Sequence, residues 1–169
     1  MSLIFLTNNE FTLKEINKSK VLTNPIPGFS LVLFYSTECT HCKTLIPIFR
    51  KLPGTIGGCQ FGVINISKNK DTIRNSMEST TPLKYVPLII LYHDGAPFMS
   101  YKGPRELESI QKFVVEVAAK IKKERFSATG SDTSMDQSSI QKRTRDFHRS
   151  LNIDYLDESI CYFEDVYKK

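Results

Sequence analysis

Apolar residues recur along this chain in two patterns, short nearly continuous runs and rows spaced by three and four positions. The nearly continuous runs are Phe29–Tyr35, Cys59–Ile66 and Val86–Tyr92. Runs of that length, bounded by turn residues, suit strands covered on both faces. Ser2–Thr7 reads as a further short strand. Pro97–Tyr101 reads as an edge strand, joined to Val86–Tyr92 by the hairpin signal His93-Asp94-Gly95. Helical spacing predicts helices over Glu10–Val21 (Phe11, Leu13, Ile16), Cys39–Leu52 (Leu45, Ile48, Phe49, Leu52), Asp71–Ser79 and Arg105–Lys123 (Leu107, Ile110, Val114, Val117, Ile121). Pro47 inside the second helix predicts a kink, and Pro104 suits the first turn of the last one. The order β-α-β-α-β-α-β-β-α predicts an α/β fold, a mixed central sheet with helices on both faces.

The pattern changes after Arg125. Ser127–Ser139 is rich in Ser, Thr, Asp and Gly and nearly free of apolar residues, as a linker is. Ile140–Leu151 is basic and weakly helical, and Asn152–Lys169 is acidic and aromatic, with Tyr155, Leu156, Ile160, Tyr162, Phe163, Val166 and Tyr167. The division expected is a domain over 1–125, a polar and basic linker over 126–150 and an acidic-aromatic C-terminal extension over 151–169. The extension is too apolar for a free tail and too short for a domain, so it either docks back on the domain or binds a partner.

A chain of 169 residues is long enough for one domain with a sizeable core. Composition excludes a membrane span, because no window approaches the roughly 18 apolar residues one needs. Leu3-Ile4-Phe5-Leu6 is too soon interrupted by Asn8 and Asn9 for a secretory signal. A cytoplasmic, reducing location is therefore expected, and there a closely spaced cysteine pair is catalytic or metal-binding rather than a staple. The net charge of +5 lies largely between Lys120 and Arg149. It reads first as a solvated helix end and tail, and only then as a contact for acidic partners, nucleic acid or a virion interior. Nucleic acid is not expected as a partner on charge alone.

The chemistry lies in Phe34-Tyr35-Ser36-Thr37-Glu38-Cys39-Thr40-His41-Cys42-Lys43. An apolar strand enters the cysteine pair and a helix leaves it. The unpaired N–H groups and positive partial charge of a helix start favour a thiolate, the species that attacks disulfides. The C-x-x-C spacing allows a reversible intrachain disulfide.

Cys39-Thr40-His41-Cys42, Lys43, Pro47, Val86-Pro87 and Gly103, together with the element order, resemble the thioredoxin family over about residues 1–124. The resemblance implies a thioredoxin-like fold with a C-terminal extension and thiol-disulfide exchange on protein cysteines, with no cofactor. It implies Cys39 as nucleophile, Cys42 as resolving thiol, a Cys39–Cys42 disulfide, and Pro87 as the cis-proline lying against the dithiol. Val86 and Glu38 would flank the substrate. His41 as imidazolium would stabilise a Cys39 thiolate, and Thr-His is closer to the Gly-His of protein disulfide isomerases than to the Gly-Pro of thioredoxins, which points toward oxidation or isomerisation. Glu38 opposes this as a neighbouring carboxylate. The family's potentials span roughly −270 to −120 mV, and this site is expected between those ends. Two departures bear on rate: Leu33 stands where the family buries an acid, and Glu38 where it places an aromatic. The appended tail is similar to thioredoxin-like proteins of large DNA viruses.

Other readings compete. Zinc needs about four ligands, and beyond the pair only His41, Cys59, His93, His148 and Cys161 remain, so no metal site is expected. Cys59 reads as a buried core thiol and His93 as a turn residue. Cys161 reads as a tail thiol, or, in a sharper version, as one that exchanges with Cys39 when the tail folds over the site. An interaction protein with this fold, such as a minor capsid or virion-assembly component with residues 140–169 binding neighbours, is the rival to an oxidoreductase.

Overall fold

The structure, a computed structural model, describes residues 2–128 and 160–162. Its strands are β1 (Ile4–Leu6), β2 (Thr12–Ile16), β3 (Ser19–Thr23), β4 (Phe29–Tyr35), β5 (Cys59–Asn65), β6 (Tyr85–Val86), β7 (Leu88–His93), β8 (Ala96–Tyr101) and β9 (Cys161–Tyr162). Its helices are α1 (Thr40–Phe49), α2 (Lys70–Met77) and α3 (Leu107–Ala128). Five strands form one sheet in the order β1-β5-β4-β7-β8. β1, β5 and β4 run parallel, while β7 is antiparallel to both β4 and β8. The sheet is mixed and β8 is its edge, as the apolar pattern predicts.

Alternation along β4 shows why its run is nearly continuous. Val32 and Phe34 belong to one core with Ile64, Leu88 and Ile90, and Leu31 and Leu33 to another with Val63, Ile89 and Leu91. Both faces of the strand are buried, so both sets of positions are apolar apart from Ser30. The second core is closed by Leu45 and Phe49 of α1 and by Ile110, Val114, Val117 and Ile121 of α3. Phe49 meets Phe61 edge-on, with ring centroids 6.2 Å apart. The first core is closed by Ile73 of α2 and by Phe11 and Leu22.

Phe11 and Leu22 mark the main correction to the predicted elements. Glu10–Val21 is not a helix. A single 3-10 turn over Asn8–Glu10 leads into β2, which pairs antiparallel with β3. Phe11, Leu13 and Ile16 fit helical spacing, but most of β2 is exposed and only Leu13 of that strand packs on the core. The turn uses Asn17 (φ 50°) and Lys18 (φ 65°), two left-handed residues whose twist suits a two-residue hairpin. Thr23 Oγ1 donates to Thr12 O at 3.1 Å, and the Phe11 and Phe34 rings lie 5.6 Å apart, which anchors the ribbon to the sheet.

One smaller difference follows from proline geometry. The run Val86–Tyr92 is divided by a cis Val86–Pro87 peptide into β6 and β7. The His93-Asp94-Gly95 signal is borne out: Asp94 (φ 49°) and Gly95 (φ 81°) make the turn between β7 and β8. The expected linker beyond residue 128, His148, and Tyr155, Leu156, Phe163, Val166 and Tyr167 lie outside the described residues.

Candidate active site

The site begins with Ser36, a residue that the sequence does not single out. It is buried at the end of β4 and ties the loop before α1 together. Its Oγ lies 2.6 Å from Ser67 Oγ, and Glu38 N donates to that Oγ at 3.1 Å. Cys39 N donates to Ser36 O at 3.3 Å, and Ser36 N donates to Cys42 Sγ at 3.5 Å. One small polar residue therefore holds the turn that presents both cysteines. The available signal was a serine immediately after a buried strand, where hydroxyl groups often bond nearby backbone.

Cys39 is the N-cap residue of α1, extended at φ −95° and ψ 119°, without a side-chain cap bond. Cys42 lies one turn deeper and is fully buried. Burial pushes the Cys42 thiol above its usual range, against the opposing pull of the Ser36 N–H and the charge of Arg105. Arg105 is a second contributor that the sequence did not mark. Leu33 is fully buried and packs in the α1–α3 core, so an apolar side chain occupies that position. His41 is half-buried in the first turn of α1, and Glu38 is exposed in the preceding loop. Lys43 and Pro47 are exposed on α1.

Opposite the helix start lies the Val86–Pro87 loop, with both residues buried and the intervening peptide cis. The Cys39 sulfur is 3.9 Å from Val86 O. Cys39, Cys42, Val86 and Pro87, expected at one site, are thus gathered around the start of α1.

The sulfur pairing differs from expectation. Cys39 is bonded to Cys161, with Cα atoms 6.0 Å apart, and Cys42 is a free thiol. The expected Cys39–Cys42 bond is therefore replaced in this structure. The reason is placement: β9 lies antiparallel on β6, with Cys161 opposite Val86 and Tyr162 opposite Tyr85. That register brings Cys161 over the helix start, while Ile160, Cys161 and Tyr162 pack against the α2-side core. Cys39 is left only 1% exposed. Spacing in the sequence favoured the local pair, and the observed contact across 122 positions matches the alternative in which the tail brings Cys161 to Cys39.

Cys59 sits at the far end of β5, 2% exposed, and burial pushes its thiol up to about 11. It is a core thiol, as expected. His93 closes β7 with its ring 4.7 Å from that of Phe29. Among the described residues no three His, Cys, Asp or Glu side chains converge in a way that could hold a metal ion. No described helix is long and apolar enough to cross a membrane.

The chain is similar to several known proteins. A family model described as Thioredoxin matches residues 4–116. Uncharacterized protein 196R of Invertebrate iridescent virus 6 is 38% identical over 136 residues, covering 80% of this chain and 78% of its own. Uncharacterized protein 020R of Invertebrate iridescent virus 3 is 31% identical over 165 residues, covering 95% and 96%. Protein disulfide-isomerase like 2-2 of Arabidopsis thaliana is 26% identical across 89% of this chain, which spans only 33% of that longer protein. Among solved structures, human ERp44 aligns over 53% of this chain and 27% of its own, at 19% identity and a TM-score of 0.48.

Proposed function

The chain belongs to the thioredoxin family, with viral relatives as the appended tail had suggested, and from that premise we propose that it exchanges thiols and disulfides on protein cysteines. Cys39 is the attacking sulfur and Cys42 the second thiol of the motif. The observation that carries this reading is the Cys39–Cys161 bond itself: the sulfur at the start of α1 already holds a cysteine of an extended strand laid against Val86. A substrate cysteine in an extended segment would meet the same sulfur and the same backbone.

The local chemistry supports the assignment. A helix N-terminus stabilises negative charge on the N-cap sulfur once that sulfur is released as a thiolate. Val86 and Pro87 form the opposing wall, and Ser36 is hydrogen-bonded to Cys39 N and to Cys42 Sγ. His41 and the disulfide-isomerase relatives favour exchange on partly oxidised proteins over strong reduction. The rival reading, a capsid or assembly role for residues 140–169, has less support, because the described piece of that segment is engaged on the site of its own chain. In a turnover assay with a protein disulfide and excess small dithiol, the full chain should exceed a Cys39→Ser/Cys42→Ser control, and Cys39→Ser alone should fall to that control. Equal turnover of the wild-type chain and the double variant would remove the reading.

A further inference from the structure

Three sulfurs meet at this site, and two-thiol exchange uses only two of them. We propose that Cys161 resolves the mixed disulfide: after Cys39 has opened a substrate disulfide, Cys161 displaces the substrate sulfur, and the Cys39–Cys161 bond is the product of that step. The inference rests on Cys39 as the nucleophile, as argued above.

The three sulfurs differ in access. Cys42 is fully buried, with no polar side chain at Leu33 to take its proton. Cys161 is only partly buried and arrives on a strand. Its backbone is paired with Val86, which sets its sulfur against Cys39. A substrate peptide and β9 cannot both lie on β6, and Cys39 cannot be bonded to both sulfurs. Arrival of β9 therefore covers the same backbone that the departing substrate leaves.

The step balances. The Cys39 thiolate attacks a substrate disulfide R–S–S–L, forming Cys39–S–S–R and releasing L–S⁻. The Cys161 thiolate then attacks the Cys39 sulfur, forming Cys39–S–S–Cys161 and releasing R–S⁻. Two protein thiols lose two electrons, and the substrate disulfide gains them as two thiols. A small dithiol then reduces the Cys39–Cys161 bond, leaving as its own disulfide and returning both cysteines to thiols.

The test uses reduced full-length chains and a peptide whose single cysteine is joined to a chromogenic aromatic thiol. Cys42→Ser and Cys42→Ser/Cys161→Ser should both release the chromophore in a burst. Cys42→Ser should then release the peptide and yield a Cys39–Cys161 crosslinked fragment after digestion. The double variant should hold the peptide on Cys39 at least tenfold longer. Cys39→Ser/Cys42→Ser should give no comparable burst. Equal retention of peptide by the first two variants overturns the inference and leaves Cys39 as nucleophile. An equal burst from Cys39→Ser/Cys42→Ser overturns it too, because Cys161 would then attack first. Absence of a burst in every chain overturns the nucleophile reading and this step with it. Cys42→Ala supplies the same arms without a hydroxyl in the apolar pocket, should Cys42→Ser fail to fold.

Discussion

Labelling of the unreduced native chain at pH 7.5 distinguishes the observed sulfur pairing from the one expected from spacing. With Cys39 bonded to Cys161, the two remaining thiols are Cys42 and Cys59, both buried. Cys59 is raised from its reference value of 9.0 to about 11. An ordinary thiol at 9.0 is about 3% thiolate at pH 7.5 and one at 11 about 0.03%, so Cys59 should alkylate roughly 100-fold more slowly, before any loss of access. Cys42 is shifted in the same direction by the same desolvation. A native chain treated briefly with iodoacetamide and mapped by peptide mass should therefore show no rapidly labelled cysteine. Unfolding in urea without reductant should expose two thiols, and reduction should expose four. Raising the pH should increase Cys59 labelling about tenfold per unit up to about 11, whereas an unperturbed thiol levels off near 9. Were Cys39 joined to Cys42 instead, Cys161 would be a partly exposed free thiol and would label at once. A fast Cys161 adduct in the unreduced chain would refute the pairing.

Two predictions concern how the scaffold holds the site. Lys18 adopts φ 65° in the β2–β3 turn, where a side chain is strained and glycine is not. Lys18→Gly should stabilise the chain by roughly 0.5–1 kcal/mol, raising the calorimetric Tm by about 1–4 °C; an unchanged or lower Tm would count against that turn. Asn8 Oδ1 accepts from Thr72 N at 3.0 Å and Thr72 Oγ1 at 2.7 Å, and so caps α2 from across the chain. Asn8→Ala should cost about 1–3 kcal/mol in urea unfolding, and a loss below about 0.5 kcal/mol would show that water replaces the cap.

The strands of the main sheet were readable because both of their faces are largely buried, so Phe29–Tyr35 and Cys59–Ile66 are interrupted only by Ser30, Gln60 and Asn65. The helix at 107–128 was readable for the opposite reason, its single apolar row from Leu107 to Ile121. The β2–β3 ribbon was misread because so few of its side chains face inward that three apolar residues fit a helix equally well. Its turn carried Lys18 where glycine would have announced a hairpin. At the site, Cys39, Cys42, Val86 and Pro87 were legible as motif residues of one family. Ser36 was not, since its role is a set of hydrogen bonds rather than a residue type. The bond to Cys161 depends on the register of β9 on β6, and register between distant segments is set by packing that no local pattern records.

A bond between positions 39 and 161 closes most of the backbone into a ring that carries α1, β5, α2, β6, β7, β8 and α3. The four strands β1 to β4 form a branch outside it, in which β1 and β4 are held by ladder bonds to β5 and β7. A ring survives one cut. Proteolysis at any one peptide bond within it leaves a single molecule with its C-terminal segment still attached, and only reduction or a second cut separates the pieces. Whether a nicked chain keeps or sheds that segment is thus decided by whether the sulfur at the start of α1 is bonded to Cys161.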